Sequence, residues 1–297
     1  MEMLHYDFMQ RAFCAGGLIA LVASVLGVYL MLRRQALMAD MLSHVSLAGV
    51  AAGVYFGMNP TVSGFVMAVL GSIAVEYVRR VYRSYSEISV AIIMIGGLSS
   101  AVILMSLNKS VNVNFTSYLF GSVVAVNWTE LTLMFAVALI GACYFWLFRR
   151  PLYHLTFDED TATTGGFPVR RITLSFSVLT GMIVAAAMPI VGVLLVSSLI
   201  VLPAALAIRI ARSFASALWL AMAFGLAGVF SGLTASYELS TPPGGTIALV
   251  LLAFLVAGIG IRKAVLWIAK SRPKAEDLAD EAAVGPIPRI HEDSSAV

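Results

Sequence analysis

Apolar stretches close to the length of a bilayer crossing follow one another almost without pause along this sequence, at about 12–32, 41–58, 61–78, 88–107, 128–148, 171–188, 190–208, 213–236 and 245–268. A hydrocarbon core about 30 Å thick takes roughly 20 apolar residues per helix. No water is available there to satisfy backbone N–H and C=O groups, so runs of this kind must close their hydrogen bonds internally, as helices. With 60% hydrophobic residues, 12% charged residues and a mean hydropathy of +0.92, an ordinary water-soluble domain is excluded. The predicted fold class is therefore all-α, a polytopic membrane bundle of about nine transmembrane helices over residues 1–269. The remainder, 270–297, is rich in charge, Ala and Pro and reads as a disordered cytoplasmic tail.

Charge placement sets the expected orientation. Basic residues gather at Arg33 and Arg34, at Arg79, Arg80 and Arg83, at Arg149 and Arg150, at Arg170 and Arg171, at Arg209 and Arg212, and through 262–274, which is every second loop. Placing those loops in the cytoplasm leaves only Arg11 and Lys109 outside, so the N-terminus is expected outside and the C-terminus inside. The net charge of +3 is small and sits at helix ends rather than in a patch, which argues against nucleic acid as a partner. The run 12–32 is too long for a signal peptide and is expected to stay as the first helix. Cys14 and Cys143 have no second thiol nearby and are expected as small core residues.

An ionisable side chain at the centre of a membrane helix costs about 2.5–3.5 kcal/mol or more, so each one is a functional candidate. Asp40 and His44 stand out in LRRQALMADMLSHVSLAGVAAGV (32–54). Four residues apart, they share one face of a helix and can ligate one cation. A carboxylate oxygen and an imidazole nitrogen suit zinc, and also manganese or ferrous iron. Gly49, Gly53 and Gly57 follow in a GxxxGxxxG pattern that lets a neighbouring helix approach closely. In one continuous helix they lie opposite the Asp40–His44 face, whereas a break near Ser43 or Ala48 would undo that geometry. The plainer reading is that Asp40 and His44 bond each other or the backbone and tie helices together. Two ligands fall short of the four that zinc usually takes, leaving the rest to water, another helix or a second subunit. Glu76 stands one turn from Arg79 and Arg80 and reads as an ion pair at a helix end, and Glu238, in SYELSTPPGGTI (236–247), as an outer-loop carboxylate able to receive an ion, against the plainer reading of a solvated side chain. His5 and Asp7, near the outer N-terminus, have the same plain reading, and His154 and His291, in cytoplasmic segments, show no metal spacing.

With these residues in hand, the chain resembles the membrane subunits of the zinc and manganese ABC importers over nearly its whole length apart from the tail. The most specific match is LRRQALMADMLSHVSLAG, basic residues followed by Asp, three residues and His. Many members carry Pro where this chain has Ala48. LTFDEDTATTGGFPVRR (155–171) resembles the cytoplasmic loop before the sixth span, and VGVLLVSSLIVLPAALAIR (191–209) the segment leading into the coupling helix. The resemblance implies a type II ABC importer permease of a bacterial plasma membrane with Asp40 and His44 lining the metal path. It also implies an ATPase contact at Leu202, Pro203, Ala204, Ala205, Arg209 and Arg212, with Pro203 ending or kinking its helix. No GxxxxGK[ST] phosphate loop is present, so ATP hydrolysis is expected from separate ATP-binding subunits. An extracellular solute-binding protein and a second copy of the chain are the other implied partners, and the transported ion (Zn²⁺, or Mn²⁺ or Fe²⁺) takes the place of any tightly bound cofactor. The Asp40–Gly49 stretch is similar to zinc members more than to manganese members.

Two other classes fit the sequence less well. A gradient-driven secondary transporter predicts internal repeats and several charges near the midplane, and neither is evident. An intramembrane metalloenzyme needs a third ligand and a general base, and the chain has no HExxH.

Overall fold

The computed structural model describes residues 6–82, 86–107, 117–122 and 127–271. Nearly all of the described chain is helical: α1 (Asp7–Leu32), α2 (Leu37–Tyr55), α3 (Pro60–Val81), α4 (Ser86–Leu107), α5 (Trp128–Leu147), α6 (Arg149–Phe157), α7 (Glu159–Thr164), α8 (Val169–Val191), α9 (Val196–Ile210), α10 (Phe214–Leu239) and α11 (Pro243–Ser271). Each of the nine apolar runs finds a helix. Eight are long and apolar enough to cross a membrane, whereas α9, at 15 residues, is shorter. The chain divides into two compact units, residues 1–256 and 257–297. Of the second, 257–271 continue α11, and the rest of the expected tail lies outside the described residues.

Burial separates a centre from a periphery. The apolar spans of α1, α2 and α8 are 72%, 72% and 78% buried, against 17% for α4 and 28% each for α5 and α10. Helices buried on nearly all sides form the middle of the bundle, and the outer ones turn Ile92, Ile95, Phe135, Trp146 and Trp219 outward. Cys14 and Cys143 are unpaired and exposed, which corrects their assignment to the core. On α1 the buried positions Ala12, Ala15, Gly16 and Ile19 follow helical spacing, and residue 14 falls off that stripe.

Helix ends follow local chemistry. The Asn59 side chain accepts hydrogen bonds from the N–H groups of Thr61 and Val62, and Pro60 takes the first helical position, where no N–H is needed. At the end of α2, Gly57 adopts φ +69°, the Met58 N–H donates to the Gly53 carbonyl and the Gly57 N–H to that of Val54. Gly57 therefore terminates the helix rather than extending its packing face. Gly49 and Gly53 do carry that face: a Cβ on either would come within 2.5 Å and 2.0 Å of Met67 and Ser63 on α3.

Between α8 and α9 the chain breaks at Gly192, whose φ is +82°. The segment 117–122 fills that break: the Ser122 N–H donates to the Pro189 carbonyl, and the N–H groups of Val193 and Leu194 donate to the carbonyls of Tyr118 and Leu119. Backbone freed at a helix break inside a membrane protein must be satisfied by other protein groups, and this short segment does so. The approach is close enough that a Cβ on Gly192 would lie 2.4 Å from the Gly121 nitrogen. Residues 117–122 are thus a packing element between α4 and α5 in sequence, and 108–116 and 123–126 lie outside the described residues.

Candidate functional site

Asp40 stands in the first turn of α2, where N–H groups without intrahelical partners and the helix dipole favour a carboxylate. The helix starts at Leu37, ahead of the apolar run 41–58, so Asp40 lies nearer the helix start than mid-span. His44 follows one turn deeper. α2 runs unbroken through Ser43 and Ala48, which settles the open question of a break and keeps the two side chains on one face.

His44 Nε2 lies 4.0 Å from Asp40 Oδ1, beyond hydrogen-bond reach, so the pair is close without being locked together. Donors each about 2.1 Å from a tetrahedral ion stand roughly 3.4 Å apart, and a small side-chain rotation closes the difference. The surroundings are as informative as the distance. Ala39, Met41, Leu42, Ser43 and Val45 are buried, while Leu37, Asp40 and His44 form an accessible stripe, with side-chain exposures of 35% for Asp40 and 13% for His44. His44 Nδ1 is buried and has no hydrogen-bond partner among the described residues. The bond that usually orients a metal-bound imidazole through its second nitrogen is thus missing. No group of three or more His, Cys, Asp or Glu able to hold a metal occurs among the described residues, so Asp40 and His44 stand as a two-ligand set.

The other anticipated residues are distributed as follows. Glu76 is buried, pairs with Arg79 at 3.5 Å and accepts from the Ser177 hydroxyl at 3.5 Å. Pro203 lies inside α9, which continues to Ile210 rather than ending there. Pro203 and Ala204 are buried in the chain itself: Ala204 clusters with Val28 of α1 and with Ala217 and Ala221 of α10. Leu202 and Ala205 are half-buried, and Arg209 and Arg212 are exposed, so the arginines are the accessible members of the anticipated coupling set. Glu238 occupies the last turn of α10 rather than a loop and is exposed. His154 stacks on Phe167. Asp7 is exposed at the start of α1, and His5 and His291 lie outside the described residues.

One carboxylate escaped the sequence reading. Glu130 is 7% exposed and caps α5 reciprocally with Asn127, while one of its oxygens accepts from the Thr61 hydroxyl of α3 at 3.1 Å. Tyr118, outside the spans, closes the cluster; burial raises its pKa above 10, the Glu130 charge adds to that shift and a hydrogen bond with Thr61 opposes it. Its hydroxyl therefore stays protonated at neutral pH. The signal was NWTE (127–130), an N-cap residue followed three positions later by Glu, just ahead of an apolar run.

A family model described as the ABC 3 transport family matches residues 5–261. Among curated relatives, a "Probable metal transport system membrane protein" of Treponema pallidum is 35% identical, over 87% of this chain and 97% of its own length. The manganese transport system membrane protein MntC of Halalkalibacterium halodurans is 28% identical, over 84% and 85% of the two chains. The high-affinity zinc uptake system membrane protein ZnuB of Haemophilus influenzae is also 28% identical, over 84% and 95%. Among solved structures, PsaBC from Streptococcus pneumoniae in complex with Fab matches with a TM-score of 0.77 at 28% identity, covering 86% of this chain and 93% of that one.

Proposed function

The chain belongs to the ABC 3 transport family and is the membrane subunit of a metal ABC importer, and from that premise we propose that its cargo is zinc and that Asp40 and His44 form a step on the ion's path. The observation that carries this reading is the stripe on α2: a helix otherwise buried from Met38 to Ala51 opens along Leu37, Asp40 and His44, with the carboxylate and imidazole 4.0 Å apart and not hydrogen-bonded to each other. One oxygen and one nitrogen donor suit zinc. An incomplete ligand set suits transport, since a site that conducts must release what it accepts, and four protein ligands would trap the ion.

The same reading assigns the remaining roles. ATP hydrolysis belongs to separate ATP-binding subunits, because this sequence has no phosphate-binding loop. Arg209 and Arg212, exposed at the end of α9 and just beyond it, are their contact points on this chain. A solute-binding protein delivers the ion from outside, where Glu238 stands ready to receive it, and a second copy of the chain supplies further ligands. Manganese is the second reading, favoured by the relative named as a manganese transport protein.

Uptake of zinc, manganese and iron isotopes into cells lacking their own importers separates these. Wild type is expected to restore zinc uptake, and Asp40→Ala and His44→Ala to abolish it with the protein still present in the membrane. Manganese uptake alone would replace zinc with the second reading. Unchanged uptake in both variants would make the pair structural.

A further inference from the structure

At the arginine-rich end of the bundle a cavity of about 970 Å³ opens between the last turn of α3 and the start of α8. Its walls bring together four guanidinium groups from two elements, Arg79 and Arg80 on α3 and Arg170 and Arg171 on α8, with the Thr173 hydroxyl beside them. Among the described residues the one carboxylate lining it is Glu76, which is engaged by Arg79 and Ser177. The described lining thus carries a net charge of +3 from four arginines and one glutamate. Arg170 and Arg171 are exposed to whatever enters. Neither the ion path nor the ATPase contact proposed above uses these residues, and a cavity this positive repels a metal cation.

From this we propose that the cavity is a binding site for the phosphate-bearing headgroup of an anionic phospholipid. Guanidinium groups pair with phosphate through parallel, charge-assisted hydrogen bonds, so a converging set of them selects that chemistry. Basic pockets between membrane helices at the cytoplasmic side are established headgroup sites in membrane proteins generally. The surroundings favour a lipid over a soluble anion. Phe167 and Val169 give the cavity an apolar wall. On the same helix α3 turns Ile73, Tyr77 and Val81 outward, one turn apart and 44%, 70% and 67% exposed, an apolar track that runs to the helix end carrying Arg79 and Arg80 and along which an acyl chain can lie. An acidic protein surface would meet the charge and leave the track uncovered.

The test titrates short-chain phosphatidylglycerol into the detergent-purified transporter, with its ATP-binding subunits in place, and reads binding by native mass spectrometry. Arg170→Gln with Arg171→Gln is expected to weaken phosphatidylglycerol binding by roughly thirtyfold, at about a factor of five per arginine. Arg170→Lys with Arg171→Lys, which keeps the charge but not the paired guanidinium donors, controls for folding and is expected to bind phosphatidylglycerol between wild type and the glutamine variant. Phosphatidylcholine binding is expected to be the same in all three. Equal phosphatidylglycerol binding by wild type and the glutamine variant would overturn the proposal. So would inorganic phosphate binding with the same dependence on the arginines, which would make the ligand a soluble anion. Loss of the ATP-binding subunits from the glutamine variant, with lipid binding unaltered, would also overturn it in favour of a protein contact.

Discussion

Asp40 and His44 hold no hydrogen bond to each other and lie on the more accessible stripe of α2, with side-chain exposures of 35% and 13%. Asp40→Ala removes a carboxylate from a helix N-terminus and is expected to cost no more than about 1 kcal/mol, and His44→Ala, which truncates a mostly buried ring, about 1–2 kcal/mol, measured as the melting transition in detergent. Gly192 is more tightly constrained. With φ at +82° and a substituent pressed against the Gly121 backbone, Gly192→Ala is expected to destabilise by about 2 kcal/mol or more in the same measurement. The candidate pair was legible because ionisable residues are so rare in this chain that two at helical spacing are conspicuous. Glu130 was not, since it lies at the edge of an apolar run, where a carboxylate passes for a solvated helix start; its burial comes from α3, through Thr61, a contact with no trace in local sequence.

The helices themselves were read from hydropathy to within a few residues, and the differences have local causes. α2 begins at Leu37 rather than 41 because Asp40, the charge that interrupts the apolar run, is tolerated in a first turn where backbone N–H groups are still unpaired. α9 begins at Val196 rather than 190 because Gly192 breaks the chain, and the backbone that fills the break comes from 117–122, distant in sequence. Pairing of that kind cannot be seen in a hydropathy profile. The capping cluster at the start of α5 lends itself to measurement. Asn127→Ala removes the side-chain acceptor for the Glu130 N–H and is expected to cost about 1 kcal/mol, read as a lowered melting temperature. Glu130→Leu is expected to cost more, because it takes the acceptor from two donors, the Thr61 hydroxyl and the Asn127 N–H, while leaving the bond from the residue-130 N–H to Asn127 in place.

At the scale of the whole molecule, the chain is an apolar bundle whose centre, α1, α2 and α8, is walled by helices that face outward. Such a bundle can shape a path, and its sequence has no GxxxxGK[ST] loop with which to hold ATP itself. Purified alone and placed in vesicles, the chain is expected to show no ATP hydrolysis, and co-expression with its ATP-binding subunit to yield a complex that hydrolyses ATP; a phosphate-release assay on both preparations decides this. The proposed transport path requires an ion to meet Asp40 and His44 together. X-ray absorption at the zinc edge on the zinc-loaded transporter tests that contact most directly. The expected spectrum shows imidazole scattering with a nitrogen at about 2.0–2.1 Å, lost in His44→Ala. A zinc shell without imidazole, or one unaltered by that substitution, would contradict it.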